Sequence, residues 1–188
     1  ERYFNVYCAD QVVPIGSFFK RAVPNRFQHS NKVDSFIERK NLSIIYGGDI
    51  AGYSPSADKV YMPKPTDFFA TENEQSRGYY YTTLLHELVH WTGHYSRLNR
   101  LNHHVKYTRK DKEFLQHYAF EELVAEIGSA MLSAHFGLSK GVREDHINYL
   151  AIWMSDIKSD PQTLLKATAL AQKAFDYLLP RKKSRKRK

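Results

Sequence analysis

Disulfide chemistry is the first thing this sequence lacks. Its 188 residues include one cysteine, Cys8. A single thiol cannot close an internal bridge, which favours a reducing, cytoplasmic setting over a secreted scaffold. Cys8 falls in a strand-like stretch and reads as a small buried hydrophobe. Long apolar runs are missing too. None approaches the ~18 residues needed to cross a bilayer, so no membrane partner is expected. No secretory signal is visible either, because Glu1-Arg2-Tyr3-Phe4-Asn5-Val6 already alternates like a strand. The abrupt start suits a piece of a longer protein. There are no internal repeats and no linker between domains.

What remains is a folded globular composition, 42% hydrophobic and 26% charged, long enough for one domain with its own core. The net charge of +8 is unevenly placed. Arg181, Lys182, Lys183, Arg185, Lys186, Arg187 and Lys188 crowd into the last eight residues; without them 21 basic residues face 20 acidic ones. The body is therefore near neutral. The expected division is a folded domain over 1–180 and a basic, disordered tail over 181–188. Such a tail suits nucleic-acid phosphates, an address signal or a solvated end.

The pattern along the chain predicts a small β region followed by helices, which makes the fold class α+β. Residues 2–7 read as a strand and 14–29 as irregular. Ser30 or Asn31 caps a short helix to about Lys40. A strand over Leu42–Tyr46 closes at Gly47-Gly48. Ile50–Tyr53 and Lys59–Met62 form a hairpin around Ser54-Pro55-Ser56-Ala57-Asp58. Four helices follow, over about 74–92, 113–136, 145–158 and from Asp160-Pro161 to near Leu179. Gly93 and Gly137 stop the first two.

The central chemical signal is His86-Glu87-Leu88-Val89-His90, inside an apolar helical stretch. Positions four apart share a helix face, so both imidazoles can reach one ion. Glu87 projects about 100° away from His86, which suits a base rather than a ligand. Zinc held this way keeps an open position, where water reaches a pKa near ~7. A third ligand must come from elsewhere. Extending the motif to a histidine after Gly93 fails, because Ser96 stands there and His94 has the wrong offset. The better source is Tyr118-Ala119-Phe120-Glu121-Glu122-Leu123-Val124-Ala125-Glu126, whose carboxylates need partners if buried. Glu122 and Glu126 share a face with Tyr118, whereas Glu121 points elsewhere. The preferred assignment makes Glu122 the ligand and Glu126 an acceptor behind a histidine, with the reverse open. Tyr118 is a candidate to stabilise an oxyanion or a plain packed tyrosine. His103, His104, His117, His135 and His146 read as exposed.

The stretch from Tyr79 to Arg100, ending His90-Trp91-Thr92-Gly93-His94-Tyr95-Ser96-Arg97-Leu98-Asn99-Arg100, resembles the C-terminal metallopeptidase domain of ArdC-type antirestriction proteins. So do 118–128, Tyr149–Trp153, Ala169–Ala174, Phe4-Asn5-Val6 and Ser54–Pro63. The resemblance covers nearly the whole chain except the tail. It implies a zincin-like fold of the gluzincin type, with Zn2+ on His86, His90 and Glu122, Glu87 as catalytic base, and a peptide or protein substrate. It also implies a mobile-element setting and, in the family, an N-terminal domain for single-stranded DNA, which is not expected within these residues. Two functions follow as expectations: a zinc peptidase, or a DNA-binding antirestriction module whose zinc is mainly structural.

Overall fold

The computed structural model describes residues 30–40, 42–68, 74–101, 112–138 and 160–180. The strand expected over 2–7, Cys8, the segment 14–29, the helix expected over 145–158, His103, His104, His146 and the basic tail lie outside the described residues.

Helix α1 spans Asn31–Lys40. Ser30 caps it through its carbonyl, which accepts from the Asp34 N–H at 2.9 Å. Ser30 also ties the helix to the body, because its N–H donates to Tyr81 Oη at 2.7 Å. That hydroxyl donates in turn to the Asp34 carboxylate at 3.0 Å. Val33 and Phe36, one turn apart, are buried from this helix.

The β region is a three-stranded sheet ordered β1-β3-β2. Strands β2 (Gly52–Ser54) and β3 (Lys59–Met62) form the expected antiparallel hairpin, with Tyr53 opposite Val60. Asp58 takes a positive φ of 50° in its turn. Strand β1 (Ile44–Tyr46) lies parallel to β3 on its other side, with Ile45 opposite Tyr61. Gly47 and Gly48, both at positive φ, take the chain away from it. Side chains alternate across β3, so Val60 and Met62 are buried together on one face. A short 3-10 turn, Pro65–Phe68, ends the β region.

Three long helices make up the rest of the described body. They are α2 (Glu74–Thr92), α3 (Lys112–Phe136) and α4 (Pro161–Leu178). Leu84, Leu85, Leu88 and Val89 of α2 join Leu123, Val124, Ala125 and Leu132 of α3 in one core. Each such Leu or Val contributes roughly 1.5–3 kcal/mol by leaving water. Asp160 caps α4: its Oδ1 accepts from the Gln162 N–H at 3.0 Å and its Oδ2 from Thr163 Oγ1 at 2.8 Å. Pro161 sits at the first helical position, where its missing N–H costs nothing. Ala167, Ala171, Ala174 and Leu178 recur at helical spacing and are fully buried, so α4 packs closely on α3 and α2. No helix among the described residues is long and apolar enough to cross a membrane.

Two glycines set the geometry of the helix that carries the histidines. Gly93 follows α2, as expected, but not by adopting a left-handed conformation. The chain folds back over it: the N–H groups of Arg100 and Leu101 both donate to its carbonyl, at 2.8 and 3.0 Å. A Cβ there would stand 3.0 Å from His90 O and Leu101 Cγ. Gly128 of α3 faces Val89 of α2, and a Cβ would lie 2.8 Å from Val89 Cγ2. Glycine is therefore what lets α2 and α3 approach next to the two histidines.

Candidate metal centre

His86 and His90 stand one turn apart on α2, with ring centroids 4.8 Å apart. Their Nε2 atoms are 3.1 Å from each other. Glu122 of α3 spans both, with Oε2 3.3 Å from His86 Nε2 and Oε1 3.5 Å from His90 Nε2. One ligand atom from each of the three residues can be chosen so that all lie within 4.8 Å of one another. The remaining ring nitrogens turn outward to carboxylates. His86 Nδ1 is 3.0 Å from Glu126 Oε1, and His90 Nδ1 is 3.3 Å from Glu121 Oε1. A carboxylate behind each Nδ1 favours the proton there, which leaves both Nε2 lone pairs facing inward. Two lone pairs 3.1 Å apart repel unless a cation or a proton lies between them. The donor set of two imidazole nitrogens and a carboxylate therefore fits a divalent ion with room for a further ligand.

The pairing reveals how the helices cross. His86 meets Glu126 and His90 meets Glu121, so α2 and α3 run antiparallel at the site, with Glu122 between the two pairs. Glu121 corrects the sequence reading. Its angular position does separate it from Glu122 and Glu126, yet the crossing brings it behind His90. Arg100 then holds it, with Nε donating to Oε2 at 3.1 Å and Nη2 to Oε1 at 2.8 Å. Neither role was legible from spacing. Arg100 was visible only as a member of a family-like motif, without a partner.

Burial is the largest influence on all of these groups, and the pairings overcome it. It works to lower the His90 pKa, but Glu121 and Glu122 push it up to about 10. It works against a charged His86 in the same way, and Glu122 and Glu126 raise that histidine nonetheless. For the carboxylates burial acts in the raising direction. Hydrogen bonds from His86 and His90 hold Glu122 far below the usual range, and His90 and Arg100 hold Glu121 below it. In physical terms, the carboxylates demand positive charge at the two histidines, whether as protons or as a metal ion.

Glu87 is buried beside His86, 8% exposed. Tyr118 stands one turn before Glu122 on α3, half-exposed, with its ring nearly parallel to Phe114. His94 is buried away from the ligand set, where Nδ1 pairs with Ser96 Oγ at 2.8 Å and serves the turn after α2. His117 and His135 are exposed, as expected. Trp91 is partly buried, and the Arg97 guanidinium lies 3.9 Å over its ring.

Known proteins share this arrangement of chain. A family model described as a zincin-like metallopeptidase matches residues 31–170. The crystal structure of the Mn(II)-bound antirestriction protein ArdC from plasmid R388 superposes with a TM-score of 0.65 at 35% identity, covering 81% of this chain and 52% of that one. Its metal-free form gives 0.62 over a similar span. Among curated proteins, the DNA primase TraC of Escherichia coli is 37% identical over 131 residues, 70% of this chain and 11% of its own length. The uncharacterized protein y4eC of Sinorhizobium fredii is 33% identical over 147 residues, 78% of this chain and 44% of its own. The chain thus spans about half of ArdC and less of the others. With the likeness extending from α1 through the histidine- and glutamate-bearing helices into α4, the chain belongs to the zincin-like metallopeptidase family and is similar to the domain found in the antirestriction protein ArdC.

Proposed function

We propose that this chain is a zinc-dependent peptidase domain of an antirestriction-type protein. The observation that carries the reading is the convergence of His86 Nε2, His90 Nε2 and the Glu122 carboxylate, with Glu126 and Glu121 behind the two rings. A divalent ion held there supplies polarisation of a substrate carbonyl and acidifies water. The chain's own residues do the rest. Glu126 and Glu121 keep the imidazoles oriented with their Nε2 atoms inward. Glu87, next to His86 and buried, takes a proton from the attacking water and passes it to the leaving amine nitrogen. Tyr118, one turn before Glu122, is the residue we assign to donate its Oη–H to the developing oxyanion. Zinc suits two histidines and a glutamate in tetrahedral geometry; the Mn(II) named for the ArdC crystal makes manganese the competitor.

Similar domains occur in proteins named a DNA primase and an antirestriction protein. They support a setting in which the domain works beside DNA. The tail over 181–188 is the segment suited to single-stranded DNA, and its binding should weaken steeply with salt.

The test compares wild type with Glu87→Gln on purified restriction-enzyme subunits and on whole-cell lysate. The variant is expected to keep fold and metal and to lose cleavage. If antirestriction survives in Glu87→Gln, the domain acts by binding and its metal is structural.

A further inference from the structure

The motif Ser96-Arg97-Leu98-Asn99-Arg100 contributes two arginines with different duties. Arg97 reaches back to the β-hairpin, pairing with Asp58 and donating to Tyr53 Oη at 3.2 Å. Arg100 turns instead towards the metal-facing helices. Its side chain is 5% exposed. Nη1 donates to Thr92 Oγ1 at 2.8 Å and Nη2 to Val89 O at 2.7 Å, so the guanidinium is anchored to the last turns of α2. From there its fork engages both oxygens of Glu121. Gly93 makes room for it, since a Cβ at that position would lie 3.1 Å from Arg100 Nη2.

The site needs such an anchor. Glu121 and Glu122 are adjacent in sequence and both approach His90, one at Nδ1 and the other at Nε2. An ion that takes carboxylate ligands therefore meets two candidates one peptide bond apart. A planar guanidinium that occupies both oxygens of one carboxylate removes it from the competition and cancels its charge. We propose that Arg100 is a positioning residue: it holds Glu121 behind His90 and so leaves Glu122 as the carboxylate that faces the metal. The proposal rests on the metal site described above and asks nothing of proteolysis.

The test uses the full chain, stripped with chelator and reloaded with Co(II), whose visible absorption weakens as ligands are added to a four-coordinate ion. Arg100→Met is expected to lose visible Co(II) absorption as the freed Glu121 leaves His90 Nδ1 and joins the ion, with a changed Co(II) affinity. Arg100→Met with Glu121→Gln should recover the wild-type spectrum. Arg97→Met, as a control, should lower Tm and leave the spectrum alone. Unchanged affinity and spectrum in folded Arg100→Met overturn the proposal, as does a spectral change that Glu121→Gln fails to reverse. Should Arg100→Met not fold, Arg100→Lys keeps the charge and loses the fork; the same spectral change supports the proposal and an unchanged spectrum overturns it. A wild-type chain that takes up no Co(II) overturns the metal site itself, whereas normal uptake with an indifferent Arg100 overturns only the positioning role.

Discussion

Helix α3 is packed between two helices in opposite ways. Against α2 it presents Glu121, Glu122 and Glu126 to two buried histidines. Helix α4, which packs on α3 and α2, buries Ala167, Ala171 and Ala174, small apolar residues whose side chains have no hydrogen bonds to satisfy. The alanine contact stabilises by close approach and burial alone. The glutamate contact loses the solvation of several charged groups, which is offset only if each finds a partner. One contact is structural and the other is tolerated for its chemistry. Changes on the two sides should therefore separate metal binding from stability.

The largest separation is expected from His86→Ala combined with His90→Ala, which should abolish bound metal. Ala171→Leu, on the other contact, should overpack the helices at a cost of about 1–3 kcal/mol and leave metal content unchanged. Elemental analysis of both proteins, purified without chelator, decides the matter; equal metal in the double variant ends the argument for the site. Next comes the ranking of the carboxylates. Glu126→Ala should weaken metal binding about 10–100-fold, the usual effect of losing a partner behind a ligand, and Glu122→Ala by more. A competition titration that ranks them the other way shows that the two roles are exchanged.

The pH dependence sharpens the contrast further. In the metal-free protein His90 is raised from about 6.5 to about 10. A raised histidine contributes stability that is fully present below its unfolded pKa and disappears as the pH climbs through the folded one. Chelator-treated protein should thus lose Tm between about pH 6.5 and 10, while metal-loaded protein, whose ion replaces the protons, should lose less. Parallel Tm curves with and without chelator contradict this account of the site.

A smaller effect is expected where Gly128 of α3 approaches Val89 of α2. Gly128→Ala should cost about 1–3 kcal/mol in urea unfolding by colliding with Val89, and Val89→Ala in the same chain should relieve part of that cost. No relief means that the collision at 2.8 Å is absorbed elsewhere. The smallest effect belongs to Asp160→Ala on α4: a slight fall in Tm through loss of the cap, with metal affinity unchanged.

Much of the secondary structure was legible because its signals are local. Ser30 and Asp160 cap their helices, Gly47 and Gly137 take the positive φ expected after β1 and α3, and Pro161 opens α4. The hairpin could be placed from its turn residues. The parallel pairing of β1 with β3 could not, since nothing within either three- or four-residue strand encodes which neighbour it meets. Gly93 ends α2 where expected but for another reason: it is small because Arg100 and Leu101, seven and eight residues further on, fold over it, a contact invisible to local rules.

By itself, the sequence determined the pair of histidines on one helix face, since a four-residue spacing and a 3.6-residue turn leave no other outcome. It also confined the buried carboxylates to the helix that follows, because charges amid Leu123, Val124 and Ala125 need partners. Only the tertiary structure decided which carboxylate meets which nitrogen. That choice depends on the antiparallel crossing of α2 and α3, on the close approach that Gly128 permits, and on Arg100 returning across the end of α2 to hold Glu121. Helical periodicity fixes angles within one helix; the distance and direction between two helices come from packing, which no single helix contains.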